Sequence, residues 1–252
     1  MTRVLALLVL LAVPGVAAAA EITVLCPRGM QHAVAAAAEE FQRVTRHTVW
    51  MSYGTTGGIM ARAASSNAAD VVIASASGVT ELAEKGTVEF GTRVTLGRVG
   101  IGVAIKAGAG RPDVATVAAL RRAILNATSI GYADPVLGGQ AGRHVAHVLE
   151  SIGIAPLVWP KTTLFPDGLR ALDSVAKGET ELAVAAISEI LGAEGVALVG
   201  PLPASLQTVL AYGAGVLVRS SVPDVAKSFL QHLKAAESRA RFKVGGIDPA
   251  DF

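Results

Sequence analysis

Three arginines, two threonines and two glycine pairs carry the chemistry that can be read first. Thr55-Thr56-Gly57-Gly58 and Gly138-Gly139 lie in small-residue loops, each followed by a stretch with helical spacing. Both fit the pattern Gly-Gly-x-x-x-Arg, with Gly57, Gly58 and Arg62 in one copy and Gly138, Gly139 and Arg143 in the other. A helix that begins in such a loop presents unpaired backbone N–H groups and the positive end of its dipole, and glycine lets a guest approach without a Cβ in the way. Each segment is therefore suited to an anion. Arg28, in a Pro27-Arg28-Gly29 loop, is a third cation at a predicted helix start. An arginine there opposes the dipole at a cost of about 0.3 to 1 kcal/mol when exposed. A bound carboxylate or oxyanion removes that cost, and the planar guanidinium fork suits a carboxylate. The alternative is that Arg62 and Arg143 point to solvent or pair with Asp70, Glu81 or Asp134, and that Thr55 and Thr56 are helix caps.

The elements that must position these residues follow from periodicity. Residues 129–154 read as strand, loop and helix: Asp134-Pro135 ends the strand, and Val145, Val148, Leu149 and Ile152 form the buried stripe of the helix. Strand, loop and helix recur at 21–26, 27–30 and 31–45, and again at 47–53, 54–58 and onward to 64. The apolar runs 70–74 and 182–187 read as central strands covered on both faces. Helices are expected at 80–85, 114–126, 168–177 and 222–240, and further strands at 98–106, 161–164 and 206–218. This alternation is that of βαβ units in an α/β fold. No linker rich in Gly, Ser or Pro interrupts it, so two lobes would be joined by ordinary strands, with 98–106 and 206–218 as the crossovers. Lobe 1 is expected at 21–100 plus 208–252, and lobe 2 at 101–207.

Gross properties narrow the function. Of 252 residues 52% are hydrophobic and 4% aromatic, enough for α/β cores of Ala, Val, Leu and Ile. The formal charge of +2 gives no reason to expect nucleic acid or a membrane surface as partner. Residues 1–20 carry Arg3, an apolar run at 4–13, Pro14-Gly15 and a run of alanines, and read as a secretory signal peptide cleaved before Glu21. The run is too short to span a bilayer. Cys26 is the single cysteine, so no internal disulfide forms, and a buried role is expected for it. His144 and His147 have a spacing that metals use, but no third ligand is evident; no metal and no cofactor are expected. No Gly-x-Ser-x-Gly elbow or Walker-type loop occurs, so no catalytic residue is assigned and the chain is not expected to be an enzyme.

The segments EITVLCPRGMQHAVAAAAEEFQRVTRHTV, TTGG, AADVVIAS, YADPVLGGQAG, ELAVAAISEI and GPLPASLQ, in this order, resemble the periplasmic molybdate-binding-like group of type II solute-binding proteins. The resemblance implies a two-lobed Venus-flytrap fold, each lobe a mixed sheet with helices on both faces, that captures a solute in the periplasm for an ABC permease. It points to Arg28 and Gly29, to Thr55 and Thr56, to Gln140 and Ala141, and to Pro166, Asp167 and Ser188 as ligand contacts, beside the Gly57 and Arg143 of the glycine loops. Molybdate binders of this group offer serines in the first loop and a tyrosine near Ala186, whereas this chain has Pro27-Arg28-Gly29 and Ala185-Ala186. An organic carboxylate is therefore expected as readily as a molybdate-like oxyanion, held by a monomer. The alternatives are a ligand-sensing module that acts on a receptor, or a secreted hydrolase on the same frame.

Overall fold

The computed structural model describes residues 19–65 and 68–250; the signal-peptide expectation falls largely outside them. In chain order the elements are β1 (Glu21–Pro27), α1 (Gln31–Thr45), β2 (Thr48–Gly54), α2 (Thr56–Ser65), β3 (Val71–Ser75), α3 (Ala76–Glu84), β4 (Val94–Val99), β5 (Ile101–Lys106) and α4 (Val117–Asn126). They continue with β6 (Ile130–Ala133), α5 (Gln140–Ser151), α6 (Ala155–Val158), β7 (Thr162–Phe165), α7 (Gly168–Lys177), β8 (Leu182–Ala186), α8 (Ile187–Gly192), β9 (Val196–Pro201), β10 (Leu210–Val216), α9 (Pro223–Lys234), α10 (Ala236–Val244) and β11 (Asp248–Pro249).

Two mixed sheets result, ordered β11-β4-β10-β3-β1-β2 and β7-β6-β8-β5-β9. Within the first, β1 pairs parallel with β2 and β3, while β10 runs antiparallel to β3 and β4. In the second, β6 pairs parallel with β7 and β8, while β5 runs antiparallel to β8 and β9. Every residue of β3 and of β8 is buried, as expected for apolar strands covered on both faces. Helix α1 lays Ala33, Val34, Ala37, Ala38 and Phe41 on the first sheet, and α5 lays Gly142, Val145, Val148 and Leu149 on the second.

The chain passes from the first sheet to the second at Gly100, between β4 and β5, and returns through residues 202–209. What periodicity suggests as one strand at 98–106 is therefore two strands in different sheets. The return strand begins at Leu210 rather than near 206, because Gln207 turns its amide onto the first crossover: Ile101 N–H donates to Gln207 Oε1 and Gln207 Nε2 donates to the Ile101 carbonyl, both at 2.9 Å. The C-terminal helix expected at 222–240 is two helices, broken at Ala235, whose extended backbone (φ −61°, ψ 154°) serves as the start of α10. Strand β9 is absent from the sequence reading, since its half-buried residues give no alternation. Cys26 is fully buried and burial pushes its thiol pKa up, so it is a core residue.

Candidate functional site

Parallel strands deliver their C-terminal ends to one edge of each sheet, and the helix that follows each strand starts there. β1, β2, β6, β7 and β8 all end facing the gap between the sheets, and the starts of α2, α5, α7 and α8 converge on it. The resulting interlobe cavity has a volume of about 40 Å³. From the first lobe it is lined by Pro27 to Gly29, Gly54 to Thr56, Leu210 and Tyr212; from the second by Ala133, Gly139 to Ala141, Asp167, Gly168, Ala186 and Glu189.

The lobes are closed on each other around it. Thr55 Oγ1 donates to the Leu137 carbonyl at 2.8 Å, and Gly57 N–H donates to the Gly138 carbonyl at 3.2 Å. A Cβ on Gly57 would lie 3.1 Å from Gly138 Cα, and Gly138 has φ +79°, so the small residues at both tips allow this approach. On the other side of the cavity Ser188 Oγ donates to the Gly29 carbonyl at 2.5 Å. The fourth link is ionic: Arg28 Nε lies 3.1 Å from Asp167 Oδ2, and Arg28 Nη1 donates to Gln31 Oε1 at 3.0 Å. Arg28 and Asp167 also line a groove on the outer side with His32 and Arg170, so the pair stands between cavity and solvent.

Arg28, Gly29, Thr55, Thr56, Gln140, Ala141 and Asp167 thus line the cavity. Gly57, Arg62, Arg143, Pro166 and Ser188 do not. Gly57 spends its N–H on Gly138, and Ser188 is a buried latch between lobes rather than part of the lining. Pro166 is exposed, because the chain turns at Asp167 to start α7 and the Asp167 carboxylate caps Arg170 N–H at 3.0 Å. Arg143 is exposed on the face of α5 that also carries His147 and Glu150, opposite the buried stripe. Arg62 folds back instead, its Nη1 donating to Ser52 Oγ at 2.7 Å and its Nη2 to the Tyr53 carbonyl at 3.0 Å. It supplies donors at the end of β2, neither pointing to solvent nor pairing with an acid. Thr55 does act as a cap, accepting from Gly58 N–H at 3.2 Å.

Two lining groups with chemistry were not selected from the sequence. Glu189 stands at the third position of α8, whose N-cap is Ala186, and accepts a backbone hydrogen bond from Ala186, the reach-back of a capping box. Burial, then the neighbouring Asp167 charge, push its pKa up to about 7 against the opposing effects of the Ala186 bond and Arg28. Its carboxyl fills the space over Gly168, where a Cβ would collide with it. Tyr212 projects from β10 and is 3% exposed, with its hydroxyl 2.5 Å from where a Cβ on Gly29 would sit. Burial, then Glu189, raise its pKa. The only available signals were an acid directly after an apolar strand and a lone phenol in a small-residue strand. Gln140 Oε1 is buried at the cavity with no hydrogen-bond partner. His144 Nε2 bonds the Leu206 carbonyl at 2.7 Å, and among the described residues no group of three His, Cys, Asp or Glu could hold a metal ion.

Two mixed sheets, two crossovers and a cavity at facing strand ends define a periplasmic-binding-protein fold of type II. The chain belongs to the bacterial extracellular solute-binding protein family, whose model matches residues 22–248. Its fold is similar to that of the periplasmic molybdate-binding protein of Azotobacter vinelandii, with a TM-score of 0.75 and 18% identity over 91% of this chain and 100% of that one. It is likewise similar to the sulfate-binding protein SubI of Mycobacterium tuberculosis, with a TM-score of 0.69 and 16% identity over 92% of this chain and 88% of that one. In sequence it is 27% identical over 189 residues to an aconitate isomerase of a Pseudomonas species, covering 75% of this chain and 70% of that protein.

Proposed function

We propose that this solute-binding protein captures a small organic carboxylate between its lobes in the periplasm and presents it, as a monomer, to an ABC permease of the inner membrane. The observation that carries the carboxylate reading is Arg28, a guanidinium lining a closed interlobe cavity at which helix starts converge. A planar fork matches a carboxylate better than it matches a dry tetrahedral oxyanion, which neutral N–H and hydroxyl donors can hold alone. The relative named for aconitate, itself a carboxylate, supports the same class, and the molybdate- and sulfate-binding structures support an anion. Lobe 1 (21–100 and 208–252) and lobe 2 (101–207) would move as bodies about the crossovers. The test is a thermal shift of the mature protein against di- and tricarboxylates, sulfate and molybdate. A carboxylate at hundredfold excess over its Kd should stabilise the fold by about 2.7 kcal/mol. No shift with any anion rejects capture, and a shift with molybdate alone rejects the carboxylate.

A second reading, in which the cleft also isomerises the acid it holds, is favoured by one observation. Glu189 places in the cavity a carboxyl that gains and loses its proton near neutral pH, as a general acid or base requires. The family and fold are those of binding proteins, while one relative carries an isomerase name. Proton NMR of cis-aconitate incubated with the protein decides: conversion that Glu189→Gln abolishes supports the second reading, and an unchanged spectrum rejects it.

A further inference from the structure

We propose that Glu189 is a ligand-binding residue that works in its protonated form, so that capture of one anion in the cleft takes up one proton, and the Glu189 O–H then donates to the guest. The inference rests on the capture reading and deepens it.

The charges of the cavity carry the argument. Only Arg28, Asp167 and Glu189 among its lining residues are charged or chargeable at neutral pH. Arg28 and Asp167 neutralise each other at 3.1 Å. With Glu189 ionised the closed cavity would therefore hold one net negative charge before any guest arrives, and with Glu189 neutral it holds none. An anion shut in beside a buried carboxylate meets a like charge in a poorly screened site, which is the circumstance that forces one of two carboxylates to keep its proton. A neutral Glu189 reverses the interaction, because a carboxylic acid has an O–H to donate. Two further neutral groups complete the same surface. Tyr212 lies 3% exposed against Gly29, and Gln140 has a buried oxygen without a partner.

Among the described residues no other charge near Glu189 takes over this role. From α7, Asp167 is engaged with Arg28, while Arg170 and Asp173 pair with each other at the exposed surface at 3.4 Å. On α1, His32 packs against Gly192 at the far end of α8. Strands β5, β8 and β9 carry one charged residue, Lys106, which sits by the Gly178 turn. β10 contributes Tyr212, and Glu194 beyond α8 is exposed. Burial, then the neighbouring Asp167 charge, already hold the Glu189 proton up to about pH 7 in the empty cleft, so a bound anion needs to raise its proton affinity only further in the same direction.

The experiment uses fumarate, malate, sulfate and molybdate, anions that do not themselves take up a proton between about pH 6.5 and 8.5. Calorimetric titration of the mature protein in two buffers of different ionisation enthalpy reads both Kd and the protons taken up. The expected result is a Kd that weakens by about tenfold per pH unit above about pH 7, with close to one proton taken up per anion at about pH 8.5. Glu189→Gln, which donates through its amide at every pH, should bind with no pH dependence and, at about pH 8.5, tighter than the unsubstituted protein. A Kd that is flat with pH and no proton uptake in the unsubstituted protein overturn the inference while leaving capture intact. Should the variant not fold, the two-buffer measurement on the unsubstituted protein decides alone. Absence of binding by all four anions at both ends of the pH range rejects capture itself, and the inference with it.

Discussion

The two lobes meet the same cavity with opposite character. The first brings a cation and neutral hydroxyls, Arg28, Thr55, Thr56 and Tyr212, while the second brings Asp167 and Glu189 beside the amide of Gln140. Closure places Arg28 on Asp167 across the gap, so the cation proposed to select the guest already has an acidic partner from the facing lobe. A guest bound there would therefore compete with an internal carboxylate rather than enter an empty positive socket. Affinity in such a cleft is a difference between two ionic arrangements, and changes on the two sides should move it in opposite directions.

The largest effect is expected at Glu189, on stability. Its folded pKa of about 7 lies above the ordinary value of 4.5, so the folded chain keeps a proton that the unfolded chain releases. The sign is the reverse of a salt-bridged carboxylate: stability falls as pH rises from about 4.5 to about 7 and levels off above, by about 3 kcal/mol in all. Glu189→Gln keeps the capping bond and cannot ionise, so urea unfolding should find it less stable or equal below about pH 4.5 and more stable by 2 to 3 kcal/mol, roughly, at pH 8. Equal stabilities at pH 8 would break the comparison, because the second lobe would then bear no buried charge.

Arg28→Ala comes next. It removes the first lobe's cation and should weaken carboxylate binding by roughly 1.5 to 3 kcal/mol, with a smaller loss for molybdate, read by competition calorimetry. Equal losses would remove the reason for assigning a carboxylate. On the facing lobe, Asp167→Asn keeps the α7 cap, since Asn caps as well as Asp, and releases Arg28. Carboxylate affinity should rise, by about tenfold if the released bond is worth about 1.4 kcal/mol. The smallest effect is expected for Ser188→Ala, which takes away the latch to the Gly29 carbonyl without touching the lining. A cost of about 1 kcal/mol is expected, visible in small-angle scattering as a more open unliganded form and as a Kd weakened by about fivefold for every ligand alike.

How far the sequence reveals this differs between scaffold and site. Strands such as β3 and β8, helices such as α5 and α7, and the Asp134-Pro135 and Gly178 stops follow from periodicity and turn chemistry, which are local. Of the cavity residues, Arg28, Thr55 and Thr56 were legible from helix starts and glycine loops, whereas Gly29, Gln140, Ala141 and Asp167 came only from the family resemblance. Glu189 and Tyr212 were not legible, because what makes them notable is burial at one cavity, Tyr212 against Gly29 and Glu189 over Gly168, and no local pattern records which strands become neighbours. Arg62 and Arg143 show the converse error. Both follow a glycine pair by four residues, yet one turns back to Ser52 and Tyr53 and the other faces outward, since side-chain direction depends on which stripe of the helix is buried. Strand 98–106 was misread because a change of sheet at a single residue, Gly100, leaves no break in apolar character.

The amide of Gln207 grips both backbone groups of Ile101, so the outgoing and returning crossovers are stapled side by side. Two loosely spaced straps would let the halves slide and twist independently. Stapled together they would act like a single pin, and the halves would swing mainly about one axis. The glycine tips at Gly57 and Gly138 would then come back to the same register on every stroke, and a membrane partner would meet one reproducible outline rather than a family of shapes.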